Sequence, residues 1–344
     1  MDRTPARTIF LTGATGFIGG TILHSLHETH PEIRIKALIR REEDAKELQG
    51  AYPNLEPIIG TLDELTLLTT TASQVDFVIH AARGDVENIS VVHAVIDGLA
   101  SPSYSSTAAG PHPATHLISI TGPRSLIDPA LPVTGNAEPD VRPWSDIADA
   151  RTILSLSTER PHAASDQSIV AHSIAKGVGT VLISPGQLFG RGKGLLKKES
   201  AAAAYYTAVR SRGGAFVIGD GSVAWSWVSI GDLGDAVVFL MGQFLLSGED
   251  GGSRPRVGVN EEGYYFVQTG DVSMRERAEA VSKRMGLGDV ESVPADVTAK
   301  MHAFGPLMWG CGATFRADSL TKLGWTPKEV DWRPLMEEEG GERA

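Results

Sequence analysis

LTGATGFIGG, residues 11–20, decides the fold. The stretch starts inside a short apolar run, TIFLT (8–12), and ends in a helix-like segment that reaches about residue 29. Gly13, Gly16 and Gly19 therefore sit where a strand turns into a helix, the context in which a glycine-rich motif carries meaning. Gly13 permits a tight turn, Gly16 lets the backbone approach a pyrophosphate, and Gly19 allows close helix–strand packing. The helix start behind them offers unpaired N–H groups and a partial positive charge to phosphate. The alternative is a glycine-rich turn with no ligand, but position and surrounding pattern together favour a dinucleotide site.

The same alternation continues outward. IRIKALI (33–39), LEPII (55–59), VDFVIHAA (75–82), THLISI (115–120) and TVLISP (180–185) are strand patterns separated by amphipathic stretches. Strands and helices in this order imply right-handed βαβ units and a parallel, doubly wound α/β sheet of Rossmann type. Residues 1–190 form the expected dinucleotide-binding domain, with return segments near 226–246 and 264–270. Residues 191–225 and 247–344 form a smaller, mixed substrate-binding lobe. It includes helices near 199–212 and 273–286, and Asp232 is the expected N-cap of the helix DLGDAVVFLM. The Ser-, Pro- and Gly-rich segments 98–114 and 248–263 read as loops, and the tail EEEGGERA (337–344) as frayed.

Composition narrows the function. Of 344 residues, 42% are apolar and 21% charged, and the formal net charge is −11. That balance argues against nucleic-acid and anionic-membrane partners, which need a clustered basic footprint. A single cysteine, Cys311, excludes a disulfide framework and a multi-cysteine metal site. No His/Asp/Glu cluster has ligand spacing, so no metal is expected. The N-terminal residues carry no apolar signal core, and no apolar run approaches the ~18 residues of a membrane span. The expected location is cytoplasmic. The second strand ends Leu38-Ile39-Arg40-Arg41. An acidic residue there would hold the ribose 2′-OH of NAD, whereas Arg40 suits the 2′-phosphate of NADP(H). The bland alternative is a pair of surface arginines balanced by Glu42 and Glu43.

Several motifs taken together resemble the extended, atypical short-chain dehydrogenase/reductases of the NAD-dependent epimerase/dehydratase and NmrA-like kind. TGATGFIGG resembles the family's phosphate loop, VIHAA (78–82) its fourth-strand motif and SPGQLFGRG (184–192) its nicotinamide-side stretch. WVSIGDLGDA (227–236) and LGWTPK (323–328) resemble later signatures. The resemblance implies that Gly13, Thr15, Gly16, Phe17, Ile18 and Gly19 line the pyrophosphate and that Arg40 meets the adenosine phosphate. It implies that Thr61 and Leu62 stand by the adenine, and that Ala81, Ala82 and Pro185 flank the nicotinamide. Family reductases also carry a Tyr-x-x-x-Lys acid–base pair, and in this chain no such pair occurs in the corresponding region. By spacing, RPHAASDQSIVAH (160–172) places His162 near the tyrosine position and Asp166 near the lysine position, with Thr121 or Ser119 supplying the hydroxyl.

His162 and Asp166 stand one helical turn apart, so three readings are open. They form a catalytic pair in which the carboxylate tunes an imidazolium proton donor, they decorate a solvated helix start, or His162 contacts substrate without proton transfer. Gln187, Tyr205, Tyr206 and Trp227 are candidate substrate contacts; for the aromatic residues core packing is the competing reading. The function expected first is an NADP(H)-dependent reductase of a small carbonyl or enone. A non-redox isomerase, dehydratase or cyclase that retains a dinucleotide is second, and an NmrA-like nucleotide sensor third. The expected partner is a small-molecule substrate, and a homodimer stays open.

Overall fold

The computed structural model describes residues 7–82, 89–101, 115–138, 141–197, 201–246 and 257–339. Seven strands form one sheet: β1 (Thr8–Thr12), β2 (Arg34–Ile39), β3 (Leu55–Ile59), β4 (Phe77–His80), β5 (His116–Ile120), β6 (Gly179–Pro185) and β7 (Tyr264–Val267). Their order is β7-β6-β5-β4-β1-β2-β3, and every pair is parallel. The core strands read as near-continuous apolar runs because both faces are covered. Helices α1 (Phe17–Thr29) and α2 (Glu42–Ala51) follow β1 and β2; α3 (Leu65–Ala72), α4 (Ile89–Leu99) and α5 (Ala163–Lys176) follow β3, β4 and β5. Right-handed crossovers put the two groups on opposite faces. α6 (Ile230–Leu246) joins α1, while α3 packs on α4 and α4 on α5. Chain direction across the sheet reverses between β1 and β4, and that reversal opens a crevice at the strands' C-terminal ends.

Beyond β6 the chain builds a smaller sheet from Gln187–Phe189, Ala224–Ser229 and Gly270–Ser273, with the last two antiparallel. A second apolar core surrounds it and includes Tyr205, Phe216, Trp227 and Trp309. The expected helices occur at Ala201–Arg212 and Met274–Met285, the latter opened by a capping box between Ser273 and Glu276. Asp232 is a correction. Ser229 caps α6 by accepting from Asp232 N–H at 2.8 Å. The Asp232 carboxylate accepts from the backbone of Lys328 and Glu329 at 2.9 and 3.0 Å. Two distant sequence signatures, WVSIGDLGDA and LGWTPK, are thereby tied together.

Buried Asp146 makes a second long-range tie, accepting from Phe266 N–H in β7 and from Ser319 N–H, both at 2.9 Å. Of the segments read as loops, 102–114 and 248–256 lie outside the described residues. So do tail residues 340–344, whereas 332–339 are helical. Among the described residues no helix is long and apolar enough to cross a membrane.

Candidate functional site

The glycine loop folds as its spacing demands, with one change of roles. Gly13 has φ +80°, and a Cβ there would stand 2.6 Å from the Ala81 carbonyl carbon, so only glycine fits between β1 and the end of β4. Gly16 is extended, with φ −82° and ψ 177°, and forms the N-cap of α1. Its backbone suits any residue, so its value lies in the missing side chain. Gly19 serves the loop itself: a Cβ would meet the Gly13 carbonyl oxygen at 2.2 Å. The fit of the third glycine is thus against the first, within the turn.

Around this loop lies a cleft of about 1090 Å³, at the large end for small-molecule sites. Gly13, Thr15, Gly16, Phe17, Ile18, Arg40, Thr61, Leu62, Ala81 and Ala82 all line it. Gly19 lies behind the loop, and Pro185 is buried at the end of β6, paired with Val267; neither lines the cleft. Arg41 is held by Asp44 through two hydrogen bonds of 2.9 and 2.6 Å and also meets Glu43 at 3.2 Å. Arg40 is exposed at the cleft rim, and no ion pair is recorded for it among the described residues. Arg41 lines the cleft as well, but its guanidinium is already engaged by Asp44 and Glu43. The apolar wall opposite comes from Leu188, Leu195 and Leu196. The segment carrying Leu195 and Leu196 is pressed onto α1 where Gly20 meets Gly194.

At the other end of the cleft stand Ile120, Thr121, Arg124 and His162. The expected His162–Asp166 pairing does not form, for a backbone reason. His162 is the N-cap of α5 and adopts a left-handed conformation, φ 70° and ψ −24°, so the helical one-turn rule does not govern its side chain. Its Nε2 accepts from Arg124 Nε at 3.4 Å, which leaves that nitrogen without a proton to donate. The Arg124 guanidinium lies 5.0 Å from the centre of the Phe304 ring.

Asp166 is no solvated residue either: it is 3% exposed. Its Oδ1 accepts from Thr121 Oγ1 at 2.8 Å. Burial pushes its carboxyl up to about 7, against a smaller opposing effect of the Thr121 hydrogen bond. Thr121 thus connects the cleft to a buried acid of near-neutral pKa. Beneath it, Ser119, Thr121, His162, Asp166 and His80 line a small cavity. Arg124 and His80 did not stand out in the sequence, although VIHAA contained the histidine.

The remaining substrate candidates are corrected by burial. Tyr205 is wholly buried in the second core and its hydroxyl bonds the Phe216 carbonyl. Tyr206 and Trp227 are 4% and 2% exposed in the same core, and Trp227 sits edge-on to Phe189. The side chain of Gln187 is engaged by buried Arg277. None of the four lines the cleft.

A seven-stranded parallel sheet in this order, with a glycine cradle at its reversal point and a polar cluster beside it, defines a Rossmann-type architecture. The chain has the fold of the extended short-chain dehydrogenase/reductases of the NAD-dependent epimerase/dehydratase kind. A NAD-binding family model described as "Male sterility protein" matches residues 11–57. An Acremonium sp. protein named oxidase ucsJ is 29% identical over 332 residues, covering 93% of each chain. An uncharacterized Schizosaccharomyces pombe protein is 45% identical over 74 residues, 22% of this chain and 24% of its own. Among solved structures, a dTDP-glucose 4,6-dehydratase from Bacillus anthracis in complex with NAD has a TM-score of 0.64. It is 15% identical, with 97% of this chain and 96% of that chain covered. A UDP-glucose 4-epimerase from Thermotoga maritima with UDP-glucose has a TM-score of 0.62 at 14% identity, with 97% of each covered. At these identities the structural likeness is one of fold.

Proposed function

We propose that the protein is an NADP(H)-dependent oxidoreductase acting on a carbonyl or enone, or the matching alcohol, of a small organic substrate. Asp166 and Thr121 take the place of the family's Tyr–Lys acid–base pair. The observation that carries this reading is the buried Asp166 carboxyl, near neutral in pKa and bonded to a hydroxyl that lines the cleft. A general acid or base works best when its pKa lies near the working pH. The name oxidase on the relative that spans the chain supports the reaction class.

The cradle at Gly13, which any Cβ would fill, fits a dinucleotide pyrophosphate, and Arg40 fits a 2′-phosphate. The chemistry the dinucleotide supplies when bound is hydride transfer. Thr121 Oγ1 faces the substrate oxygen. In reduction, protonated Asp166 gives its proton to Thr121 as Thr121 gives its own to that oxygen; in oxidation both protons move the other way. Arg124, fixed by Phe304 and His162, brings positive charge to the same end and steadies a developing alkoxide. His162 is assigned to orienting Arg124, in place of the proton-donor role its sequence position suggested.

The test is NADPH oxidation followed by absorbance across a panel of carbonyls and enones, with alcohols and NADP⁺ in the reverse direction. Substrate conversion with no net change in nicotinamide redox state would replace the oxidoreductase with an isomerase or dehydratase.

A further inference from the structure

Beneath Thr121 the main sheet carries a polar row. Thr12, His80 and Ser119 are register partners on β1, β4 and β5, so their side chains share the face covered by α4 and α5. His80 is 1% exposed, and its Nδ1 lies 2.8 Å from Thr12 Oγ1. Thr12 Oγ1 accepts from Ala82 N–H at 3.4 Å, an arrangement that lets its own hydrogen point to His80 Nδ1. In the tautomer that takes the Thr12 hydrogen on Nδ1 the imidazole proton is on Nε2, and deep burial, which pushes His80 down to about 4, keeps the ring neutral.

His80 Nε2 is a buried donor and Asp166 Oδ2 a buried acceptor, and neither has a hydrogen-bond partner among the described residues. Both residues line one cavity, which gives about 20 Å³ to the centre of a water molecule, room for one. Ser119, Thr121, Ser165 and His162 line it too, and Ile89, Val92, Ile120 and Ile169 make up its apolar part. An unpaired donor and an unpaired acceptor on one water-sized cavity are what a single bound water satisfies.

We propose that this cavity is a water site in which the water accepts from His80 Nε2–H and donates to Asp166 Oδ2, making His80 a positioning residue for the acid. The chain Ala82 N–H, Thr12 Oγ1–H, His80, water, Asp166 then runs from the edge of the dinucleotide cradle to the proton carrier. Its effect is to favour the carboxylate form, so that Asp166 titrates lower than burial alone would place it.

The proposal rests on Asp166 being the acid–base group, and its test separates the two ideas. Titration of Asp166 is followed by difference infrared spectroscopy of its protonated carboxyl band, assigned by loss of the band in Asp166→Asn, with no turnover required. His80→Leu is expected to raise the midpoint by about one pH unit, the size of one hydrogen bond to a charged group. His80→Gln, which keeps a donor, is expected to restore most of it. An unchanged midpoint in folded His80→Leu overturns the proposal, whatever Asp166→Asn does to activity. A shifted midpoint beside a fully active Asp166→Asn keeps the water site and rejects Asp166 as the catalytic acid. Should His80→Leu fail to fold, a high-resolution crystal structure of the wild-type protein decides. Water density within hydrogen-bond distance of both atoms supports the site; an empty cavity or one holding ligand atoms overturns it.

Discussion

Asp166→Asn is the sharpest perturbation, because it removes one ionisation and little else. The amide oxygen keeps the acceptor for Thr121 Oγ1, so the local geometry survives. Loss of a positioned acid should cut turnover by roughly 100- to 10,000-fold while leaving cofactor affinity nearly unchanged. Stability moves in the opposite direction, with a pH dependence that can be worked out. The carboxyl is raised from 3.8 to about 7 by burial. Between those values the folded protein holds a proton that the unfolded chain has released, so the wild type loses stability as pH rises. Each pH unit is worth about 1.4 kcal/mol, which caps the penalty above neutrality at roughly 4 kcal/mol. The variant lacks this penalty. Denaturant unfolding of both proteins at pH 5 and pH 8 should show the Asn variant gaining about 2–3 kcal/mol on the wild type over that interval. Parallel pH profiles together with full activity would refute both the buried ionisation and the catalytic assignment. The rate profile carries the same sign, with reduction slowing as pH rises past about 7 because the acid form is consumed.

Arg40→Ala should weaken NADPH by roughly 10- to 100-fold through loss of a charge-assisted contact and leave NADH unaffected; equal losses in calorimetric titration would remove the 2′-phosphate assignment. Gly19→Ala should abolish cofactor binding because its Cβ would stand 2.2 Å from the Gly13 carbonyl oxygen. Gly16→Ala, at 3.2 Å from the same oxygen, should be milder, and matching affinities for the two variants would contradict the loop geometry. His162→Gly should retain about 1 kcal/mol more stability than His162→Ala, since the left-handed backbone penalises a Cβ; a thermal-melt ranking in the other order would show that the penalty is absent.

How much of this was legible in the sequence follows from how local each feature is. The glycine loop and the strand alternation are short-range backbone facts, and the fold followed from them, as did most of the cleft lining. Tyr205 and Tyr206 lie in the second core instead of the cleft because that core is built partly from residues such as Trp309, far along the chain, which no short window contains. Pairing His162 with Asp166 assumed a helix one residue longer than the one that forms; the left-handed turn at His162 broke the spacing. Asp166 was identified by position, but its burial and its bond to Thr121 depend on β5 meeting α5. Arg124 is held by His162 and Phe304, both far along the chain, and nothing near residue 124 announced it.

The tie made by Asp146 bears on the order in which the chain assembles as it is made. Its carboxylate waits for partners 120 and 173 residues downstream, one in the edge strand β7 and one near the C-terminus. A ribosome releasing the first 200 residues leaves β6 as an open sheet edge and Asp146 without its acceptor role, even though the cradle at Gly13 is already complete in sequence. The nucleotide-binding half can form early, but the sheet is completed only once Tyr264–Val267 has been made, and Asp146 gains its second partner only with Ser319. Chains cut before Tyr264 should therefore hold the dinucleotide poorly for a reason remote from it: they carry an unsealed β6 edge, the surface on which β-rich intermediates stick to one another.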